Sequence, residues 1–246
     1  MLPTDDFNTL VRFFHLNSSP WPNPNQKSEY PVQYKEVGEA QAAVALPPPE
    51  DSPLLDLLRT RRSCRAFLPQ TMPVRELATL LASAYAVIGL GWLADQRRLY
   101  RRTVPSAGGI YPLELYLTCQ RVEGLENGLY HYNVRDHSLE PVRSGSLFPE
   151  LSRSLINQSY LNDANVICLF SAVFDRNLVK YGPRGYRYIL MEAGHAAQNL
   201  CLMALERRLG SVCMGGFFDA EVNQFLGIDG IQEAALYCVG LGYPAP

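Results

Sequence analysis

The stretch Arg102–Leu117, RTVPSAGGIYPLELYL, joins a loop of small and rigid residues directly to an apolar segment. Five consecutive loop residues carry little side-chain bulk: Pro105, Ser106, Ala107, Gly108 and Gly109. Such a backbone can approach a flat or phosphorylated group closely, although an ordinary tight turn has the same composition. The segment after Pro112 alternates apolar and polar residues and predicts a β-strand. Because no helix begins directly after Gly109, the loop is neither a Rossmann nor a P-loop fingerprint.

Composition limits the kind of protein this is. The chain has 246 residues, of which 47% are hydrophobic and 19% are charged, as expected for a globular protein. Its net charge of −2 provides no field that attracts nucleic acid. No apolar run is long enough to cross a bilayer, so no membrane association is expected. The six cysteines lack metal-ligand spacing, and the N-terminus lacks an export signal. We therefore expect a cytoplasmic protein without a metal site.

The order of predicted elements indicates an α+β fold. Residues 1–52 are expected to form a short amphipathic helix, Asp5–Leu16, and then an extended, proline-rich arm lying on the body or on a partner subunit. Residues 53–246 are expected to form the main domain. Its predicted helices are Pro53–Thr60, Pro73–Tyr85 and Tyr186–Leu209, and its predicted strands are Glu114–Arg121, Leu129–Asn133, Ser138–Arg143, Asn165–Phe174 and Ala234–Gly240. This pattern favours a mostly antiparallel sheet flanked by helices.

An arginine-rich segment, RRSCR at 61–65, follows the first predicted helix of the domain. Guanidinium groups form paired hydrogen bonds with phosphate oxygens, and a serine hydroxyl adds another donor. The segment is therefore a candidate phosphate site. The alternative is a cluster of solvated arginines that the dipole favours at a helix C-terminus.

A second candidate is the pair Lys180-Tyr181, which follows a predicted buried strand and directly precedes a Gly182-Pro183 turn. The chain has only three lysines, so a lysine inside a folded region is notable. A desolvated lysine beside a tyrosine offers a general base and a general acid, whereas the alternative is surface charge before a helix. His195, in the long predicted helix with Gln198 and Asn199, is more typical of a structural polar residue than of a metal ligand.

Several motifs together resemble the FMN-dependent nitroreductase superfamily, and within it the SagB-type (McbC-like) dehydrogenase, or azoline oxidase, branch. The arginine-serine element is typical of the whole superfamily, whereas the PSAGG loop and the GLYHY segment are typical of the branch. The resemblance spans about residues 52–245. It is carried by the segments Thr60–Phe67, Val104–Tyr116, Gly128–Tyr132, Lys180–Gly182, Glu192–Asn199 and Ala235–Gly242.

The resemblance implies an intertwined homodimer with two FMN sites at the subunit interface. By position, the FMN phosphate and one ring edge would be held by Arg61, Arg62, Ser63 and Arg65. The loop 105–109 would reach the flavin of the other subunit, and Gly215 and Gly216 would pass close to the ring or ribityl chain. The pair at 180–181 would be catalytic, with Lys180 as the favoured base and Tyr181 as an acid or orienting hydroxyl.

The implied reaction is oxidation of a thiazoline or oxazoline to a thiazole or oxazole in peptide natural-product biosynthesis. The first 50 residues look too irregular for a peptide-docking region, which favours a substrate tethered to a peptidyl carrier protein, as in nonribosomal pathways. A ribosomal precursor peptide with a heterocyclising enzyme is the other possibility. The alternatives to the oxidase are an NAD(P)H-dependent nitro- or quinone reductase with FMN, and a flavin-binding protein without activity.

Overall fold

The computed structural model describes residues 4–19, 34–35, 44–92, 98–156 and 159–246. The helices are α1 (Thr4–Asn17), α2 (Pro53–Thr60), α3 (Val74–Tyr85), α4 (Phe148–Ser154), α5 (Phe174–Tyr181), α6 (Arg184–Glu206) and α7 (Asp219–Leu226). The strands are β1 (Phe67–Leu68), β2 (Met72–Pro73), β3 (Val87–Trp92), β4 (Arg98–Arg102), β5 (Leu113–Cys119), β6 (Val122–Glu123), β7 (Gly128–Asn133), β8 (Ser138–Ser144), β9 (Val166–Val173), β10 (Gly210–Met214) and β11 (Glu233–Pro244).

One seven-stranded sheet forms the centre of the molecule. Its strand order is β1-β11-β9-β5-β7-β8, with β10 also paired to β11, and every pairing in it is antiparallel. Strand β9 is almost completely buried along its length, which fits its continuous apolar sequence and its central place. The α+β fold with a mostly antiparallel sheet is therefore confirmed.

Helices cover both faces of the sheet. Helices α3 and α6 pack on one face, where four buried alanines of α6 allow a close approach: Ala193, Ala196, Ala197 and Ala204. Helices α4 and α7 pack on the opposite face around a second apolar cluster. The long helix is confirmed, and it supplies the surface on which the candidate site is built.

Helix α2 begins as its sequence indicates. The Ser52 side chain accepts a hydrogen bond from the Leu55 N–H at 3.1 Å, and Pro53 occupies the first turn. This is a standard N-cap, and it places the C-terminal end of α2 directly before Arg61.

The N-terminal helix is also confirmed, as α1. Val11 and His15 are buried, and the His15 Nδ1 lies 3.0 Å from the Tyr186 hydroxyl of α6, so one face of α1 packs on the body. Of the expected arm, Asn17 ends α1, the stretches 34–35 and 44–52 are exposed, and residues 20–33 and 36–43 lie outside the described ranges. A domain boundary at residue 52 stays a prediction.

The pair at 180–181 lies just past the buried strand, as expected, but in a helix that the sequence patterns did not predict. Strand β9 passes directly into α5, and Lys180 and Tyr181 are the last two residues of that helix. Buried Phe174, Asn177 and Leu178 have helical spacing, a signal that the apolar strand pattern ending at Phe174 concealed. Sequence patterns also missed the hairpin of β3 and β4, strand β10, and the short helices α4 and α7.

Candidate active site

Hydrogen bonds to Ser106 stabilise the conformation of the loop at 105–109. The Gly109 N–H donates to the Ser106 carbonyl at 3.0 Å, and the Tyr111 N–H donates to the Ser106 hydroxyl at 2.9 Å. Gly108 and Gly109 both have φ of +64°, in the left-handed region that glycine adopts without strain. The composition of this loop is therefore required by its backbone conformation.

Lys180 and Tyr181 converge on this loop. A Cβ atom built on Gly108 would lie 2.5 Å from the Tyr181 Oη and 2.6 Å from the Lys180 Nζ, which leaves no room for a side chain. The Tyr181 ring packs edge-on against Tyr188 of α6, with ring centres 5.1 Å apart. The structure thus brings together two of the segments that the sequence singled out.

A buried carboxylate lies beneath the loop. Glu192 of α6 is 1% exposed, and its Oε1 accepts a hydrogen bond from the Tyr85 hydroxyl at 2.5 Å. Burial raises the pKa of Glu192, and hydrogen bonds from Ser106 and Tyr85 oppose that shift. The Tyr85 hydroxyl also accepts from the Leu113 N–H at 3.3 Å, which links the base of the loop to the first residue of β5.

Arg102 supplies the positive charge next to this carboxylate. Its guanidinium carbon lies 4.4 Å from the centre of the Tyr85 ring and 4.8 Å from that of Tyr111, so it stacks on both rings. Its charge lowers the pKa of Glu192 against the effect of burial. Its backbone N–H donates to the Tyr111 hydroxyl at 3.0 Å. The loop therefore rests on a polar network inside an apolar core.

Sequence reasoning did not assign the members of this network to the site. Glu192 was part of a motif, but its role was not identified, and Tyr85 was read only as an apolar position of α3. The one available signal was a glutamate on the alanine-rich face of α6, because a carboxyl group on a buried face needs partners.

An open cleft of about 230 Å³ lies between the loop and α6. It is lined by Pro105, Ser106, Ala107, Tyr188, Met191, Glu192 and His195. His195 is exposed there, so the structural role expected for it is not observed. Asn199 does have such a role, since its amide donates to the carbonyls of Ser83 at 3.3 Å and Thr103 at 3.2 Å.

The arginine-rich segment at 61–65 does not line this cleft but lies along β10. Ser63 forms a bridge with Ser211, and the Cys64 N–H donates to the Ser211 carbonyl at 2.8 Å. The Arg62 guanidinium turns back and donates to the carbonyls of Arg59 at 2.8 Å and Arg61 at 2.9 Å, as in the helix C-terminus alternative.

The other two arginines point to different neighbours. The charge of Arg61 acts on Cys213 of β10, whereas Arg65 is hydrogen-bonded to Tyr160. The three guanidinium groups therefore do not surround Ser63 in this conformation.

Gly215 and Gly216 directly follow β10, the strand that carries Cys213, on which the charge of Arg61 acts. The Gly216 carbonyl accepts from the Ile156 N–H at 3.0 Å, and Gly215 is exposed. This group of residues is separated from the loop along α6. Glu192 lies under the loop and Cys201 lies near Arg61, and nine helical residues correspond to roughly 13 Å.

The described part of the chain also limits other kinds of site. Among its helices, none combines the length and the apolar character needed to cross a membrane. Within the same residues, no three His, Cys, Asp or Glu side chains come together in a way that could hold a metal ion.

Comparison with known proteins relates this geometry to a family. A Methanocaldococcus jannaschii protein named as a nitroreductase is 37% identical over 185 residues, which cover 75% of this chain and 89% of that protein. The microcin B17-processing protein McbC of Escherichia coli is 31% identical over 166 residues, 64% of this chain. The chain spans only 57% of the length of McbC.

Solved structures agree on the fold. A chain of the E. coli microcin synthetase McbBCD complex, with truncated pro-MccB17 bound, superposes with a TM-score of 0.76 at 24% identity, covering 98% of this chain and 94% of that one. A nitroreductase-family structure from Desulfovibrio desulfuricans in complex with FMN has a TM-score of 0.56 at 18% identity, covering 80% and 89%. These two structures show the fold, and the 31% identity to McbC bears out the resemblance to the McbC-like branch. Since the model of the Nitroreductase family matches residues 58–243, the chain belongs to that family and is an oxidoreductase.

Proposed function

We propose that this protein is an FMN-dependent oxidase that converts a peptide-borne thiazoline or oxazoline into the thiazole or oxazole. The observation that carries the proposal is the convergence of Lys180 Nζ and Tyr181 Oη on Gly108. A base and a hydroxyl held at a loop of small residues would serve a reaction that removes a proton from a ring lying against that loop.

The residues of the chain fit a flavin. The loop at 105–109 has the bare backbone that a flat ring needs, and a family member is solved with FMN. Arg61, Arg62, Ser63 and Arg65 would bind the phosphate once their guanidinium groups turned towards it. Gly215 and Gly216 would lie along the ring or ribityl chain. FMN, when bound, would accept the hydride that leaves the azoline ring.

The protein residues would then manage the proton. Lys180 would remove the proton at the ring α-carbon, and Tyr181, held edge-on against Tyr188, would orient the ring or act as an acid. Glu192 and Tyr85 would hold the loop in register through Ser106. A lysine base needs partial desolvation, yet Lys180 is exposed in the single chain.

In a homodimer, the second subunit would shield Lys180 and the cleft from solvent. The cleft of about 230 Å³ is smaller and more open than a typical small-molecule site. Apolar side chains of α6 are exposed there: Met191, which lines the cleft, is 54% exposed, and the adjacent Leu190 is 43% exposed. Within one chain, the arginine segment and the loop are far apart along α6. If the arginine segment of one subunit faced the loop of the other, the two segments would lie at one site. We therefore expect FMN to be retained only by the dimer, and a monomer on sizing that keeps its FMN fully bound would contradict this arrangement.

The activity is tested by Lys180→Ala under anaerobic conditions with a thiazoline-bearing thioester mimic. We expect flavin bleaching by the mimic to slow by about 10²- to 10⁴-fold, the usual contribution of a general base. Val179→Ala is the matched control, because Val179 is the exposed neighbour of Lys180. FMN content is measured in each variant so that loss of cofactor is not mistaken for loss of catalysis. Near-wild-type bleaching in Lys180→Ala would refute the assignment.

A second candidate function is an NAD(P)H-dependent nitro- or quinone reductase with FMN. The similarity to the M. jannaschii protein named as a nitroreductase favours it. The two functions differ in the electron donor. Bleaching of the flavin by NAD(P)H, with no response to the azoline mimic, would identify the reductase.

The relatives also suggest a partner. A related chain belongs to a microcin synthetase complex with a precursor peptide, and McbC processes microcin B17. We infer that this protein acts with a heterocyclising enzyme on a precursor peptide or on a peptide carried by a carrier protein. Comparing turnover of one azoline presented as a leader-bearing peptide and as a carrier-bound thioester would distinguish these two substrates.

A further inference from the structure

Two cysteines face each other between α6 and β10. The Sγ atoms of Cys201 and Cys213 lie 3.4 Å apart, and both thiols are free. Cys201 is buried at 2% exposure, whereas Cys213 is half-buried. Two thiols in direct contact, one of them reachable from solvent, form a pair that can react together.

The surroundings of the pair distinguish the two sulfurs. A hydrogen bond from Cys201, a hydrogen bond from Tyr237 and the charge of Arg61 hold the pKa of the Cys213 thiol well below its usual range, against the effect of burial. The contact with Cys213, followed by burial, raises the pKa of Cys201. Cys213 is therefore the more acidic thiol of the pair.

The other cysteines differ in these respects. Burial raises the pKa of the thiols of Cys119, Cys168 and Cys238. Cys64 is half-buried, and its thiol donates to the Ala66 carbonyl at 3.1 Å. A buried thiol with a raised pKa is inert. Among the six cysteines, all of which lie in the described part of the chain, only Cys201 and Cys213 combine a partly accessible thiol with a second sulfur in contact.

We propose that Cys201 and Cys213 form a reversible disulfide site, in which Cys213 is the attacking thiol and Cys201 the resolving thiol, with hydrogen peroxide as the oxidant. The Cys213 thiolate attacks one peroxide oxygen, the O–O bond breaks, and the leaving hydroxide takes up a proton to form water. The Cys213 sulfenic acid is then attacked by the Cys201 sulfur. The S–S bond forms, the S–O bond breaks, and the second water leaves with the Cys201 proton. Two sulfurs are oxidised by one electron each, and the peroxide is reduced by two.

The geometry allows this with small movements. From the observed 3.4 Å, a disulfide needs the two sulfurs to approach each other by about 1.4 Å. The bond would tie α6 to β10 directly beside Arg61, and it would replace the thiolate that Arg61 faces by a neutral group. The site is independent of the proposed azoline chemistry, because it requires only residues of this chain and peroxide.

The test uses the purified full chain, reduced and then treated with a small molar excess of hydrogen peroxide. After denaturation, free thiols are alkylated with N-ethylmaleimide and the mass is measured. We expect two fewer adducts, a loss of 2 Da and a cross-linked peptide joining Cys201 to Cys213, all reversed by dithiothreitol. Six adducts after treatment, a cross-link between another pair, or overoxidation of Cys213 without a cross-link would overturn the proposal. This measurement needs no variant.

Two variants test the order of the steps. In Cys201→Ser, the reaction should stop at the Cys213 sulfenic acid, which dimedone captures as a single adduct. Cys213→Ser should give neither the cross-link nor the adduct. Cys168→Ala is the control, because Cys168 is buried in the central strand, and it should form the cross-link as the wild type does. A dimedone adduct on Cys201 in Cys213→Ser would reverse the assigned roles and contradict the proposal.

Discussion

The loop at 105–109 and the arginine segment at 61–65 are both recognisable motifs in the sequence, but they differ in how far one chain orders their side chains. The loop is complete within one chain: its backbone is closed by Ser106, and Lys180 and Tyr181 already lie against Gly108. The arginine segment has a defined backbone along β10, but its guanidinium groups point to three separate neighbours. Under the proposed function, the site that moves a proton is preorganised within one chain, whereas the site that binds the phosphate would be assembled by that anion.

The largest effect is expected at Gly108. In Gly108→Ala the new methyl group would occupy the positions of the Lys180 and Tyr181 tips, so both groups would be displaced from the loop. We expect azole formation to fall by about 10²-fold, the effect of misplacing a reacting group by about 1 Å. The rate is measured as flavin bleaching by the azoline mimic.

Gly124→Ala provides the matched control for that variant. Gly124 has a similar φ of +74°, but a Cβ there would meet nothing within 4 Å. It therefore reproduces the backbone strain without the contact. Equal losses of activity in the two variants would show that strain alone is responsible and that the convergence on Gly108 has no catalytic meaning.

The arginine segment should show a smaller effect, on cofactor affinity. If Arg61 turns towards the FMN phosphate, Arg61→Ala removes a charge-assisted hydrogen bond, which contributes about 1.5–3 kcal/mol, and FMN should bind roughly 10- to 100-fold more weakly. Arg62→Ala should weaken FMN binding less, because Arg62 must first leave the carbonyls at the end of α2, and it should also lower the free energy of unfolding. The measurements are FMN titration and chemical denaturation. Equal weakening of FMN binding in both variants would mean that the guanidinium groups act as one cluster.

A substitution at Glu192 tests the polar network beneath the loop without changing the loop itself. Because burial raises the pKa of this carboxyl group in the folded state, its contribution to stability is present at low pH and is lost as pH rises through the folded value. In Glu192→Gln that dependence is removed. The difference in unfolding free energy between wild type and variant should therefore shift in favour of the variant as pH rises from the ordinary glutamate range towards neutrality. A difference that is constant with pH would contradict a raised pKa.

Much of this architecture could be predicted from sequence. Helix α2 has its cap and proline, β9 its apolar run, and α6 its alanine face, so each local signal agrees with the final packing. The hairpin of β3 and β4 escaped prediction because glycines interrupt its alternation. Helix α5 escaped because it follows β9 without any loop. Sequence periodicity does not show the boundary between two elements when a strand and a helix share one continuous apolar run.

The candidate site was predictable in its parts but not in its arrangement. The loop and the pair at 180–181 were recognised as motifs, and only the fold places them in contact. The network of Tyr85, Arg102 and Glu192 depends on three elements meeting, α3, β4 and α6, and single-sequence periodicity carries no such information. The direction of each arginine was also not predictable, since it depends on whichever acceptor lies nearest.

The smallest effect is expected at the start of α2. Ser52→Ala removes the side-chain acceptor for the Leu55 N–H and should lower the free energy of unfolding by about 1 kcal/mol. Because α2 ends at the arginine segment, fraying of the helix would also weaken FMN binding slightly if Arg61 depends on that end for its position. The loop at 105–109 is attached to α3, β5 and α6 instead, so bleaching by the azoline mimic at saturating FMN should be unchanged. If Ser52→Ala kept wild-type FMN affinity but bleached more slowly, the contrast between the two regions would be reversed. That result would mean that the loop at 105–109, and not the arginine segment, depends on α2 for its position.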